Sequence, residues 1–191
     1  AGRVLTLMEG LGPVEVDECL ETVGPFDFGG RLRGAMTAHP KEDPETGELV
    51  FFGYSPFPPH VRVHSADRDG NLTWSTPVEL PGPVMMHDFV ITRSSVVLFD
   101  LPAIFDLDAL LRGQPGITWQ PDRGARVGVL PRGADGSEIR WVEVEPFWVF
   151  HFLNAHDLPD GTIEVVGCRA ERLNTSFDGE DLSECVRPRH H

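Results

Sequence analysis

No stretch of about 20 apolar residues occurs in the 191-residue chain, so no segment reads as a bilayer-spanning helix. Positive charge is scarce. Lys and Arg number 16 against 30 Asp and Glu, a formal net charge of −14 with His neutral. That balance argues against a nucleic-acid partner, which needs clustered cations to displace counterions, and supplies no polybasic patch for anionic lipid. Cysteine is scarce as well. Cys19, Cys168 and Cys185 are an odd number without metal-type spacing, which points away from a disulfide scaffold and towards a reduced, cytoplasmic setting. The opening residues, Ala1 to Glu9, lack the plan of a secretory signal, and Ala1 is not an initiator Met.

What is present is a globular composition, 40% apolar and 24% charged, with room for a sizeable core. Short apolar runs rich in Val, Ile, Phe and Trp recur at 4–8, 49–54, 89–92, 96–98, 126–130, 139–143, 147–153 and 163–168, as half-buried strands should. Turn clusters separate them at 43–47, 67–71, 132–136 and 159–161, each with Gly and Asp for positive-φ positions. One stretch, 102–113, has helical spacing, with Ile104, Leu107, Leu110 and Leu111 on one side and Gly113 as a stop. The expectation is an all-β fold of many short strands, a sandwich, barrel or propeller, with no internal domain boundary.

Among eight histidines, three sit in dense apolar context: His39, His87 and His151. Their separations of 48 and 64 residues resemble one propeller blade with variable loops. In a propeller, equivalent inner positions of successive blades converge on the axis. Three neutral imidazoles meeting there would suit a transition metal. Spacing alone leaves structural histidines as the commoner alternative, because no pair has the separation of a helical zinc motif. His60 and His64 read as surface or partly satisfied polar residues of an alternating strand. His156 reads as a loop residue, and His190 and His191 as a tail.

Around these residues stand Leu7-Met8-Glu9-Gly10, Thr37-Ala38-His39-Pro40-Lys41, Phe52-Gly53-Tyr54, Met86-His87-Asp88-Phe89-Val90-Ile91-Thr92, Val129-Leu130-Pro131-Arg132 and Phe150-His151-Phe152-Leu153-Asn154-Ala155. In this unbroken order, from residue 1 to about 175, the chain resembles the carotenoid cleavage oxygenases, which include stilbene-cleaving enzymes and the retinal-pigment-epithelium isomerase. The resemblance implies a seven-bladed β-propeller in which four axial His bind Fe2+ and outer Glu side chains orient them. It places three ligands at His39, His87 and His151, and one supporting carboxylate at Glu9, expected to hold His87. The fourth ligand, in a His-Gly context, has no counterpart here. Residues 1–191 therefore read as a single partial domain of about three blades, truncated at both ends.

The implied reaction is dioxygenase cleavage of a conjugated C=C bond to two carbonyl products. Phe89, Phe150 and Phe152, apolar neighbours of the ligands, are candidates for the substrate pocket. Stilbene-cleaving members carry a Lys where this chain has Met8, which leans the reading towards a carotenoid or apocarotenoid, with a lignostilbene-type phenylpropanoid as the alternative. The stretch after the second ligand could form an apolar patch for peripheral membrane contact, although Asp100, Asp106 and Asp108 oppose it and a packed loop helix is the favoured expectation. A non-catalytic propeller scaffold is the alternative of another class. A calcium-dependent lactonase, which would need axial carboxylates and amides, ranks lowest.

Overall fold

A computed structural model describes residues 2–174. Its elements in chain order are β1 (Val4–Thr6), β2 (Val14–Val16), β3 (Thr22–Pro25), β4 (Lys41–Glu42), β5 (Leu49–Tyr54), β6 (His60–Ala66), β7 (Leu72–Glu79), β8 (Val90–Ile91), β9 (Ser95–Asp100), β10 (Ala103–Phe105), α1 (Leu107–Leu111), β11 (Ile117–Trp119), β12 (Ala125–Pro131), β13 (Arg140–Val144), β14 (Trp148–Asp157) and β15 (Ile163–Ala170). Every strand pairing is antiparallel.

Two sheets are complete four-stranded meanders, β4-β5-β6-β7 and β8-β9-β12-β13. They are flanked by the three-stranded β1-β2-β3 and the two-stranded β14-β15. With the two-stranded β10-β11, the described residues form five sheets, in keeping with part of a propeller. The turn clusters fall where the sequence placed them. Residues 43–47 join β4 to β5, 67–71 join β6 to β7, and 159–161 join β14 to β15, with Gly47, Gly70 and Gly161 at φ of 69°, 82° and 85°.

Alternation along the central strands buries both faces, because each sheet is stacked between two others. Val50 and Phe52 of β5 face one core with Val61, Val63, Val96, Leu98 and Leu130, which lies between the two complete sheets. Phe51, between them in sequence, faces a second core with Phe28, Leu32, Met36, Ala66 and Leu72. Val97 and Phe99 of β9 point into a third core with Trp148 and Leu101, against β14-β15. A period of two with both parities apolar is the signature of a strand covered on both sides.

Of the two readings for His60 and His64, surface or partly satisfied, double coverage removes the first: both are buried in β6, with His60 Nδ1 3.1 Å from Ser55 O. His64 stacks on Phe51, with ring centroids 5.0 Å apart, and burial together with Arg62 pushes its imidazole down to about 4, so it stays neutral. His156 lies in β14, not in a loop, beside Glu164 at 3.3 Å. Cys19 and Cys168 are unpaired and exposed, while Cys185, His190 and His191 lie outside the described residues.

The helical stretch is also corrected. Residues 103–105 form β10, paired to β11, and only Leu107–Leu111 is helical, capped by the Asp106 side chain accepting from Ala109 N at 2.8 Å. Its leucines do not pack inwards. Leu107, Leu110 and Leu111 are 51%, 58% and 86% exposed, and only Ala109 is buried. A helix of five residues on a two-stranded hairpin has too little facing surface to cover an apolar stripe. Among the described residues, no helix is long and apolar enough to cross a membrane.

Candidate metal centre

Three strands that open separate sheets, β4, β8 and β14, each start beside or contain one of the three histidines. His39 precedes β4 by two residues and His87 precedes β8 by three, while His151 lies within β14. The strap carrying His39 is sewn between two neighbours. Met36 N donates to Leu11 O at 3.0 Å, and Thr37 N donates to Phe52 O at 2.7 Å. His39 N then donates to Thr37 Oγ1 at 3.1 Å, closing a tight bend, and Pro40 keeps the residue before it out of helical conformation.

Met86 anchors the segment of His87 in the core, and Met85 N donates to Ala103 O at 2.8 Å. At His151 the β14-β15 register jumps. Val149 pairs with Arg169 and Phe152 with Gly167, so two residues, Phe150 and His151, oppose the single Cys168. Such a bulge re-aims a side chain that regular alternation would place elsewhere.

The three imidazoles meet edge to edge. His39 Nε2 and His87 Nε2 are 3.1 Å apart, as are His87 Nε2 and His151 Nε2, and the three candidate donor atoms all lie within 4.8 Å of one another. Glu9, on the loop after β1, lies with Oε1 in direct contact with Nδ1 of His87. Its other oxygen, Oε2, accepts from the Tyr54 hydroxyl at 3.2 Å. Burial, and then the charge of Glu9, raise the Tyr54 phenol well above its usual range, so it remains a donor. Burial and the neighbouring His87 push the His39 imidazole down, which keeps it neutral.

This donor set fits a transition-metal ion. A carboxylate on Nδ1 fixes the tautomer of His87 and turns a bare Nε2 lone pair towards the cluster centre. Two of the three nitrogen pairs stand 3.1 Å apart, within the span that one ion bound by imidazoles at about 2.1 Å would bridge. The centre is not an oxygen-donor calcium site. The carboxylates beside it are already engaged, Glu9 against His87 Nδ1 and Asp88 by Lys41 at 2.6 Å.

The aromatic candidates separate. Phe150 is 44% exposed and meets the His87 ring edge-on, with centroids 5.3 Å apart, so it borders the cluster. Phe152 stacks on Phe99 at 4.1 Å and lines a cleft of about 430 Å³ together with Lys41, Ile91, Arg93 and Asn154, farther along the inner strands than the histidines. Phe89 is wholly buried in the core between the complete sheets, edge-on to Phe52, which removes it from any pocket wall. Met8, beside Glu9, is exposed.

Sequence reasoning assigned no role to Tyr54, Lys41 or Asp88. A compositional signal was there: Tyr54 is the only tyrosine of the chain and Lys41 its only lysine, and both stand at this centre.

Stacked four-stranded meanders whose first strands bring imidazoles to one point define a β-propeller with an axial all-histidine centre. The chain belongs to the family of the retinal pigment epithelial membrane protein (RPE65), whose model matches residues 1–189. It is 41% identical over 162 residues to isoeugenol monooxygenase of Pseudomonas nitroreducens, covering 82% of this chain and 34% of that enzyme. It is 37% identical over 189 residues to carotenoid 9,10(9',10')-cleavage dioxygenase 1 of Phaseolus vulgaris, covering 96% and 35%. The crystal structure of Pseudomonas brassicacearum lignostilbene dioxygenase superposes with a TM-score of 0.79 at 34% identity, over 86% of this chain and 35% of that one. The chain thus spans about a third of the length of the relatives it matches.

Proposed function

We propose that the protein carrying this chain is a non-haem Fe(II) dioxygenase that splits a conjugated C=C bond with O₂. One oxygen atom goes to each carbon, giving two carbonyl products. The observation that carries this reading is the meeting of His39, His87 and His151 Nε2 with Glu9 held against His87. A ferrous ion held there would supply oxygen activation beside the double bond.

The chain's own residues do the rest. Glu9 orients His87, and Tyr54 orients Glu9, so the nitrogen lone pairs are set before any ion arrives. Phe150 offers an aromatic edge next to the cluster, where a flat conjugated substrate can lie across it. With no carboxylate among the three ligands, a ferrous ion held there would keep its positive charge.

The substrate is a lipophilic polyene, a carotenoid or apocarotenoid, in keeping with the apolar Met8 beside Glu9. A second reading, a hydroxystilbene or related phenylpropanoid, has specific support in the identity to isoeugenol monooxygenase and the likeness to lignostilbene dioxygenase. We place the protein in the cytoplasm, with the exposed leucines of α1 as a peripheral membrane contact. The intact, iron-loaded protein is to be incubated separately with an apocarotenoid and with a hydroxystilbene under O₂, and the carbonyl products identified. Cleavage of neither, with iron bound, would overturn the reading. Cleavage of the stilbene alone would select the second.

A further inference from the structure

Asp88 lies next to His87, and its side chain is only 1% exposed. Oδ1 accepts from Lys41 Nζ at 2.6 Å and from Phe89 N at 2.8 Å, while Oδ2 accepts from Phe152 N at 3.0 Å. Lys41 is two residues past His39, Phe89 is two past His87, and Phe152 is one past His151. One carboxylate therefore touches the backbone or side chain just beyond each of the three histidines. The strands they precede or belong to, β4, β8 and β14, are in three separate sheets and form no ladder with one another. Other polar ties between these sheets, among them Arg132 to Asp43 and Glu48, Arg93 to Glu45, and Asp157 to Thr92 and Ser94, do not involve the histidines.

We propose that Asp88 is a positioning residue that registers the three histidine-bearing segments with one another, so that the metal centre is assembled before metal binds. This rests on reading the three histidines as ligands.

The chemistry requires a carboxylate. Each of the three groups around Asp88 is a donor, and two oxygens with several lone pairs can satisfy all of them. An Asn there has one acceptor oxygen, and its NH₂ would face either Lys41 and Phe89 N–H or Phe152 N–H, donor against donor. The cost is that of a buried donor left unpaired, or of an ammonium without its counter-charge. The chain's only lysine is committed to this contact, with Nζ also 5.7 Å over the Phe89 ring.

The test uses the intact protein and Asp88→Asn, titrated with Co²⁺ followed by calorimetry and visible absorption, together with crystal structures of both metal-free proteins. We expect Co²⁺ affinity to fall about 10–100-fold, the cobalt absorption to change in intensity, and His39 or His151 Nε2 to leave its 3.1 Å spacing from its neighbour. Wild-type affinity, absorption and spacing in a folded Asp88→Asn protein would overturn the proposal. If the wild type binds no Co²⁺, the metal reading fails and the metal-free spacing alone decides the role of Asp88. Should Asp88→Asn not fold, Lys41→Met decides. It keeps the arm to Phe152, so His39 should shift while His87 and His151 stay together, and an unmoved His39 would overturn the proposal.

Discussion

Gly53 is the position where packing and site are most directly coupled. A Cβ built there would lie 2.0 Å from Ala35 O and 2.9 Å from Ala35 C, and both are backbone atoms that cannot rotate aside. Ordinary van der Waals contact begins near 3.4 Å, so Gly53→Ala must push the 35–37 strap off β5 by more than about 1 Å. That strap holds Thr37 N to Phe52 O at 2.7 Å and, through Thr37 Oγ1, fixes the turn that aims His39. Overpacking of this kind costs about 1–3 kcal/mol, and displacing one of three ligands should weaken metal binding at least tenfold. Gly82→Ala is the control, since nothing lies within 4 Å of a Cβ there and its φ is not positive. It should stay within about 0.5 kcal/mol of wild type. Thermal unfolding of the metal-free protein and Co²⁺ titration read the two effects separately. Gly53→Ala with the stability and metal affinity of Gly82→Ala would refute the coupling of β5 to His39.

Further outcomes follow from the same geometry. Glu9→Gln keeps the shape but loses the charge against His87, and should lower metal affinity about 10–100-fold with little change in folding, measured by titration and circular dichroism. Asp43 is held down to about 2, chiefly by its bond to Arg132 and then by Glu45 N–H. Its stabilisation is complete above pH 4 and disappears as pH falls towards 2. Asp43→Asn should therefore cost about 1 kcal/mol at pH 7 after allowance for solvent screening, a deficit that shrinks in unfolding curves taken below pH 4. Phe150→Ala should slow cleavage and raise KM in a steady-state assay while leaving metal content unchanged. Leu110→Glu with Leu111→Glu should reduce co-sedimentation with neutral phospholipid vesicles, leaving thermal stability within about 0.5 kcal/mol because both leucines are exposed.

The all-β fold, the hairpin turns and the three histidines were legible in the sequence, because each follows from local rules. Alternating apolar residues have a two-residue period that only strands use, and Asp and Gly clusters supply positive φ where a chain must reverse. The resemblance carried by Met86-His87-Asp88-Phe89 and Phe150-His151-Phe152 then picked the imidazoles out of eight. Residue order could not say which neighbours of those imidazoles face them. Phe89 and Phe150 look alike beside their histidines, yet Phe89 packs into the core between two sheets, whereas Phe150, in the bulge of β14, meets the His87 ring.

Tertiary structure alone decided the contacts across sheets. Glu9 reaches His87 and Tyr54, and Asp88 reaches Lys41 and Phe152, over separations of 45 to 78 residues. It also turned the leucines of α1 outwards and buried His60 and His64. The physical reason is common to all of these. Backbone period and turn chemistry are set by each residue's own covalent geometry, whereas coverage, bulge placement and polar partners depend on how whole sheets stack around an axis. No short stretch of chain contains that information.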